Sequence, residues 1–488
     1  MDSQHTTQSS LPDGADAAGG GVRLAFMALV LAMLPAVLDQ TILATGLPTI
    51  ARDLGTLSDV SWLVAAYVVA ATASTPVWGK LGDRLGPKPM LQLALVGFVS
   101  TSALCGLAQD ITQLVLTRAA QGVFAGGLMT LAMAAVGDLV SMRERGRYQG
   151  YIAATFAGAT VLGPLVGGVL VEHASWRWVF YVNLPVGLAA LLALGAKLPA
   201  RAPGGERKPL DISGAALLAS ATSALLLVCV WGGDRYAWTS PEIAGLAVAA
   251  LVLAGLLVLR ERRAADPIVP VDLLATPAVA VASAGLFLAT ACIFAVTVFV
   301  PVFLQASRGV GATEAGLLLV PMMAGITLST TVAGRSIART GRYKRFPVAG
   351  LALMTVGLAL LAVVTGGRSI VATDLAIAVF GLGFGMVSQF LVVAVQNAVV
   401  RTQLGIATAT TGFFRALGGA AGAAALGAVF TARTAAGANV GDAVQTVFLV
   451  AAPLAAIALL VVLRLPEVPL QERAASGGSR PPQPAASS

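Results

Sequence analysis

Charge is scarce in this 488-residue chain: 11% of its residues are Asp, Glu, Lys or Arg, against about 25% in soluble domains. Hydrophobic residues make up 57%, which excludes a soluble enzyme and makes lipid the main solvent. Three cysteines (Cys105, Cys229, Cys292) and two histidines (His5, His173) stand far apart. Without CxxC or HExxH spacing, neither a metal site nor a disulfide has support. No GxxxxGK[ST] stretch occurs, and the one GK pair, Gly79 and Lys80, is followed by leucine. ATP is therefore not a direct fuel. Segments of alternating polarity at strand length are missing too, which excludes a membrane barrel. An integral-membrane enzyme would need a nucleophile, a metal or paired acids near a span, and one deep carboxylate does not supply them. The net charge of +8 gives no reason to expect nucleic acid, because the basic residues lie in short loops between apolar spans.

Apolar runs of about 20 residues, the length that crosses a bilayer as a helix, recur along nearly the whole chain. They predict fourteen helices, at about 24–47, 60–79, 89–108, 111–140, 147–171, 178–198, 212–232, 242–260, 277–304, 314–335, 346–366, 370–397, 405–430 and 444–465. Loops after even-numbered spans hold Lys80, Arg84 and Lys88, then Arg143, Arg145 and Arg147, then Arg260, Arg262 and Arg263, then Arg335, Arg339, Arg342, Lys344 and Arg345. On this parity about 23 Lys and Arg fall on one side and about 6 on the other, which places both termini in the cytoplasm. Residues 1–22, Gly/Ser-rich with no basic n-region, and 467–488, Pro/Ser-rich, read as disordered cytoplasmic tails.

Two loops repeat. GKLGDRLGPK follows the second span and GRSIARTGRYK the tenth, so Gly79, Lys80, Arg84 and Gly86 align with Gly334, Arg335, Arg339 and Gly341 at an offset of 255 residues. An offset of eight helices divides the chain into a six-helix bundle at 23–198, an inserted two-helix segment at 199–263 and a second six-helix bundle at 264–466.

Individual residues then stand out physically. Asp39 is the one acid deep in an apolar span, where burying an ionised carboxylate is expensive and reversible protonation is favoured. Arg118 lies at nearly the same depth in the fourth span, placed to pair with it either as part of a pathway or as a static ion pair. In GKLGDRLGPK, Gly79 and Gly86 suit a tight turn, and Asp83 suits the positive end of a neighbouring helix. Positive-inside charge alone accounts for Lys80, Arg84 and Lys88. The second copy has Ala338 where the first has its acid. In the fifth span Gly158, Gly163, Pro164, Gly167 and Gly168 permit close crossing and a kink, as generic GxxxG packing also would. Arg415 requires an anion or water near the midplane. Trp62, Tyr67, Phe156, Phe294, Phe384, Gln389 and Phe413 are candidates to line a cavity, or else pack and face lipid.

GKLGDRLGPK, LDQTILATGLPTIARDL, LTRAAQGVFAGG, GATVLGPLVGG and WRWVFYVNLPVG occur in order. Together they resemble the major facilitator superfamily, and within it the fourteen-helix drug:proton antiporters. The resemblance implies an all-α integral membrane fold and export of a lipophilic drug or antibiotic in exchange for protons by alternating access. It assigns proton coupling to Asp39, Arg118 and Gln121, and gating to Gly79, Asp83, Arg84 and Gly86. In the fifth span Gly163, Pro164, Gly167 and Gly168 would seal an outer gate. Substrate binding would fall to the cavity candidates and Arg415. It implies no cofactor, protons as the coupling ion, and a monomer in the cell (inner) membrane whose partners are a lipophilic small molecule and the bilayer, not nucleic acid. Import or uniport of a metabolite or lipid on the same fold remains open.

Topology is directly testable. Reporters fused after Arg147 and after Arg263 are expected to read out as cytoplasmic, and one between Asp234 and Pro241 as external. An external signal after Arg263 would show that the inserted pair does not span the membrane.

Overall fold

In hydrocarbon every backbone amide has to find its partner within the chain, and continuous helices meet that demand segment by segment. The computed structural model describes residues 14–54, 57–140, 142–198, 211–233, 235–264, 267–268, 271–308, 318–365 and 369–467. Its long helices are α1 Gly14–Leu54, α2 Leu57–Leu85, α3 Pro87–Leu107, α4 Ile111–Leu139 and α5 Met142–His173. A sixth, α6 Trp178–Lys197, bends at Val182. The series continues with α7 Ile212–Trp231, α8 Pro241–Glu261, α9 Pro277–Arg308, α10 Val320–Thr340, α11 Arg345–Val364, α12 Ile370–Ala398, α13 Leu404–Ala435 and α14 Val440–Leu463. A one-turn helix, Val271–Ala275, precedes α9.

Thirteen of these helices are long and apolar enough to cross a membrane. The fourteenth, α10, has 21 residues. It packs against α12 and α5, while its Leu328 and Val332 side chains stay exposed. Helices α1, α2, α5, α9 and α13 outrun their expected limits by several residues. Helix α1 begins at Gly14, so the segment 14–22 expected as tail is helical; residues 1–13 and 468–488 lie outside the described residues.

The repeated motif is also helical for most of its length. Its first copy leaves the helix only at Gly86 and its second from Gly341 to Lys344; the two glycines, 255 residues apart, adopt φ 92° and 69°. Gly79 is therefore no turn residue. It lies inside α2, where an added Cβ would press on Gly405 and Ala409 of α13.

Within the first half α2 packs on α4 and α1 on α5; within the second, α11 packs on α12 and α9 on α13 and α14. The halves meet where α2 crosses α13 and α5 crosses α10. Gly146 and Gly334 touch backbone to backbone at the second crossing, and Arg145, buried beside it, donates to the Gly137 carbonyl and to Gln396 Oε1 at 3.4 Å. These contacts gather at the end of the bundle that bears Asp83. The pair expected as an insertion, α7 and α8, packs on itself, and α7 packs on α2 and α13. Its open end is fastened by Asp211, which caps α7 through the Gly214 amide at 2.9 Å and pairs with Arg260 of α8 at 3.1 Å. Burial alone would raise the Asp211 carboxyl; the Gly214 amide, Arg260 and Ser213 outweigh it and hold it below the usual carboxylate range.

The α5–α10 crossing leaves no room for a side chain. Gly334→Val would drive a Cβ into the Gly146 carbonyl, an overpacking that costs about 1–3 kcal/mol. The expected outcome is a lowered Tm of the purified protein. A Tm equal to that of the parent would show that the two backbones do not approach this closely.

Candidate functional site

Four helices bring their few polar side chains to one point inside the first half. Asp39 of α1 and Arg118 of α4 are 0% and 1% exposed, and Arg118 Nη1 donates to Asp39 Oδ2 at 2.5 Å. The same nitrogen donates to Gln121 Oε1 at 2.6 Å, and Gln121 Nε2 donates to Asp39 Oδ1 at 3.1 Å. Asn183 of α6 donates to the same Oδ1 at 3.0 Å. Ser102 of α3 accepts from Gln121 at 3.1 Å and Asn183 at 3.0 Å, while its own hydroxyl donates to the Phe180 carbonyl at 2.9 Å. The Arg118 guanidinium lies 4.3 Å from the centre of the Tyr67 ring, a spacing at which a desolvated cation–π contact contributes about 2 kcal/mol. Both carboxylate oxygens accept hydrogen bonds, the kind of support that lets a buried charge pair persist in a low dielectric.

Ser102 and Asn183 were not among the sequence candidates. The signal for Asn183 was present: an asparagine in an apolar span leaves its amide unsatisfied unless another helix supplies partners. Ser102 gives no such signal, since serine can satisfy itself on its own helix.

Tyr67 separates this cluster from a cavity of ≈ 370 Å³ between the two halves, lined by α1, α2, α4, α9, α12 and α13. Of the eight residues expected to line a binding cavity, Tyr67 and Arg415 do so. Phe413 lines a different cavity, ≈ 480 Å³, between α13 and the inserted pair. Trp62 packs edge-on against Trp231, with ring centres 4.9 Å apart. Phe294 meets Phe299, Phe384 stacks on Phe380, and Phe156 packs at the margin of the core. Gln389 is buried, its Oε1 without a hydrogen bond. The central cavity is walled instead by short or unbranched side chains, among them Thr72, Thr75, Met129, Met133, Thr408 and Thr411. A cavity exists where side chains are small, so the bulky rings fill space elsewhere.

At the end where the halves meet, Asp83 accepts the amide of Gly405 at 2.7 Å on Oδ1 and that of Ile406 at 2.8 Å on Oδ2. These are among the amides that the first turn of α13 cannot pair within its own helix, and the helix dipole reinforces the contact. Arg84, beside it, makes no hydrogen bond or ion pair with a described residue. Gly163 and Gly167 bring α5 against Thr41, Ile42 and Thr45 of α1. Pro164 is exposed and Gly168 half-buried. Among the described residues no group of His, Cys, Asp and Glu is arranged to hold a metal ion.

A family model described as Major Facilitator Superfamily matches residues 29–423. The chain is 42% identical over 406 residues to an uncharacterized MFS-type transporter of Mycobacterium tuberculosis (strain ATCC 25618 / H37Rv), covering 83% of this chain and 59% of that protein. It thus spans less than two thirds of that relative. It is 35% identical over 406 residues to the Multidrug transporter protein MdtP of Bacillus subtilis (strain 168), covering 83% of this chain and 75% of the relative. Among solved structures, the proton:xylose symporter XylE superposes with a TM-score of 0.67 at 14% identity, covering 93% of this chain and 98% of that one. The human organic anion transporter MFSD10 (TETRAN) gives 0.65 at 19%, covering 90% and 99%. At such identities these two establish the fold.

Asn at position 83 would retain one good acceptor for two amides. Asp83→Asn is therefore expected to weaken a contact worth about 0.3–1 kcal/mol when exposed and up to about 2 kcal/mol when partly buried. Hydrogen exchange at Gly405 and Ile406 should quicken by a factor of about 2 to 30. Unchanged exchange would mean that those amides do not depend on the carboxylate.

Proposed function

Because the chain belongs to the major facilitator superfamily and is a multi-pass membrane transporter, we propose that it exports a lipophilic drug or antibiotic in exchange for protons, by alternating access across the cell membrane. The observation that carries this reading is the Asp39–Arg118 pair, sealed from solvent yet one side chain, Tyr67, away from the central cavity. A proton arriving on Asp39 cancels the charge that holds Arg118. Leaving one partner of a buried pair uncompensated costs about 3–5 kcal/mol, so the cluster has to rearrange. Gln121 Oε1 and the Tyr67 ring already touch the guanidinium and are ready to take it over. Since Tyr67 also forms the cavity wall, the change at Asp39 reaches the substrate through a single ring.

The reading extends to the gate. The end closed by Asp83 is the cytoplasmic one, as are both termini, and the six-helix bundles at 23–198 and 264–466 rock about the cavity between them. Release of the α13 amides from Asp83 accompanies opening to the cytoplasm. Relatives named for multidrug transport and resistance support the export direction.

Asp39→Asn imitates the protonated carboxyl. It is expected to keep substrate binding and lose uphill export from vesicles driven by an imposed proton gradient. Gradient-driven export at the parental level would remove Asp39 from the proton path, and substrate movement in the direction of the protons would replace exchange by import.

A further inference from the structure

Arg415 is the one charged side chain on the wall of the central cavity among the described residues. It makes no hydrogen bond or ion pair with any described residue, and none of its nitrogens is sealed away from the cavity. The other nearby cation, Arg118, is neutralised by Asp39 behind Tyr67, and Asp39 is 0% exposed. Among the described residues the cavity therefore presents a positive charge and no negative one. Several threonine hydroxyls on the wall donate back to their own helices, Thr72 to Val68 at 2.8 Å, Thr75 to Ala71 at 2.7 Å and Thr290 to Leu286 at 2.8 Å. That leaves the guanidinium as the one charged donor on the wall, beside the neutral amide of Gln40. Around it Val68, Met129, Met133 and Ala416 supply apolar surface.

A guanidinium in a low-dielectric cavity without a partner is poorly solvated, and a carboxylate or sulfonate satisfies it through two parallel hydrogen bonds. A cationic molecule would instead meet like charge with nothing to offset it. The volume, ≈ 370 Å³, falls in the range of small-molecule sites. We propose that the transported molecule is an amphipathic organic anion, an apolar ring system bearing one acidic group, and that Arg415 holds the acidic group. The energetic consequence rests on the proton-exchange reading above. One proton entering for one monoanion leaving moves two charges, against one for a neutral molecule and none for a monocation. Each charge is worth about fifty-fold in accumulation per 100 mV, so an anion would be concentrated about 2,500-fold at that potential.

The test uses the full-length protein and matched triplets of ligand, each with the same naphthalene, biphenyl or decalin body bearing a carboxylate, an alcohol or an ammonium group. Equilibrium binding to purified protein should favour a carboxylate member. Arg415→Gln should weaken that member at least about tenfold, the lower range for a charged hydrogen-bonded contact. The alcohol should stay within about twofold of its parental affinity, and Arg415→Lys should recover part of the loss. A preference for the ammonium members, carboxylate binding indifferent to Arg415→Gln, or no carboxylate binding in any triplet would each overturn the proposal. Vesicles given a membrane potential and a pH gradient separately then test the exchange. Carboxylate binding that depends on Arg415 without potential-driven accumulation would leave the anion assignment standing and discard proton exchange.

Discussion

Hydrocarbon offers no partner to a polar group, and each polar feature of this protein is shaped by that single condition. The backbone meets it by running as long helices. The few charged side chains meet it by pairing, as Asp39 and Arg118 do at 2.5 Å, or by facing a cavity, as Arg415 does. Close helix crossings follow from the same condition. Without a hydrophobic drive to bring helices together, small residues let backbones approach until packing suffices, and the Gly146–Gly334 contact is the tightest expression of that between the halves.

The two polar clusters differ in how they are held. The Asp39 cluster lies wholly within one half, fixed by donors from α3, α4 and α6, so its geometry can persist whatever the halves do. Asp83 joins α2 to α13 across the halves by two amide hydrogen bonds, so its geometry depends on how the halves sit against each other. Arg145 belongs to this second kind, reaching Gln396 of the other half. The proton exchange proposed for the first cluster and the gating proposed for the second would thus be separable in space, with α2 common to both through Tyr67 and Asp83.

How much of this was legible in the sequence depends on how expensive each residue is in lipid. Asp39 and Arg118 are so costly that depth along the helices sufficed to put them at one level. Fourteen helices were legible from apolar runs and loop charge, although α10 is less apolar than the rest. Gly79 was misread as a turn residue because glycine marks both turns and close approaches, and spacing alone does not separate them. Arg145 counted only as a positive loop charge, yet it is 6% exposed, because a helix that continues past the hydrocarbon can turn a boundary arginine inward. The cavity wall was least legible. Threonine, alanine and methionine occur throughout the spans, and only the packing of α1, α2, α4, α9, α12 and α13 distinguishes those that border empty space.

The inserted pair breaks the resemblance between the two seams where the halves join. Helix α7 lies along α2 and α13 with α8 packed on it, covering that seam, whereas α5 and α10 have no such neighbour among the described residues. A molecule dissolved in the surrounding leaflet therefore meets two unlike flanks: a hairpin fastened by Asp211 and Arg260 on one, and bare crossing helices on the other. The protein thereby acquires a front and a back within the plane of the bilayer, a polarity that two related halves alone would not possess.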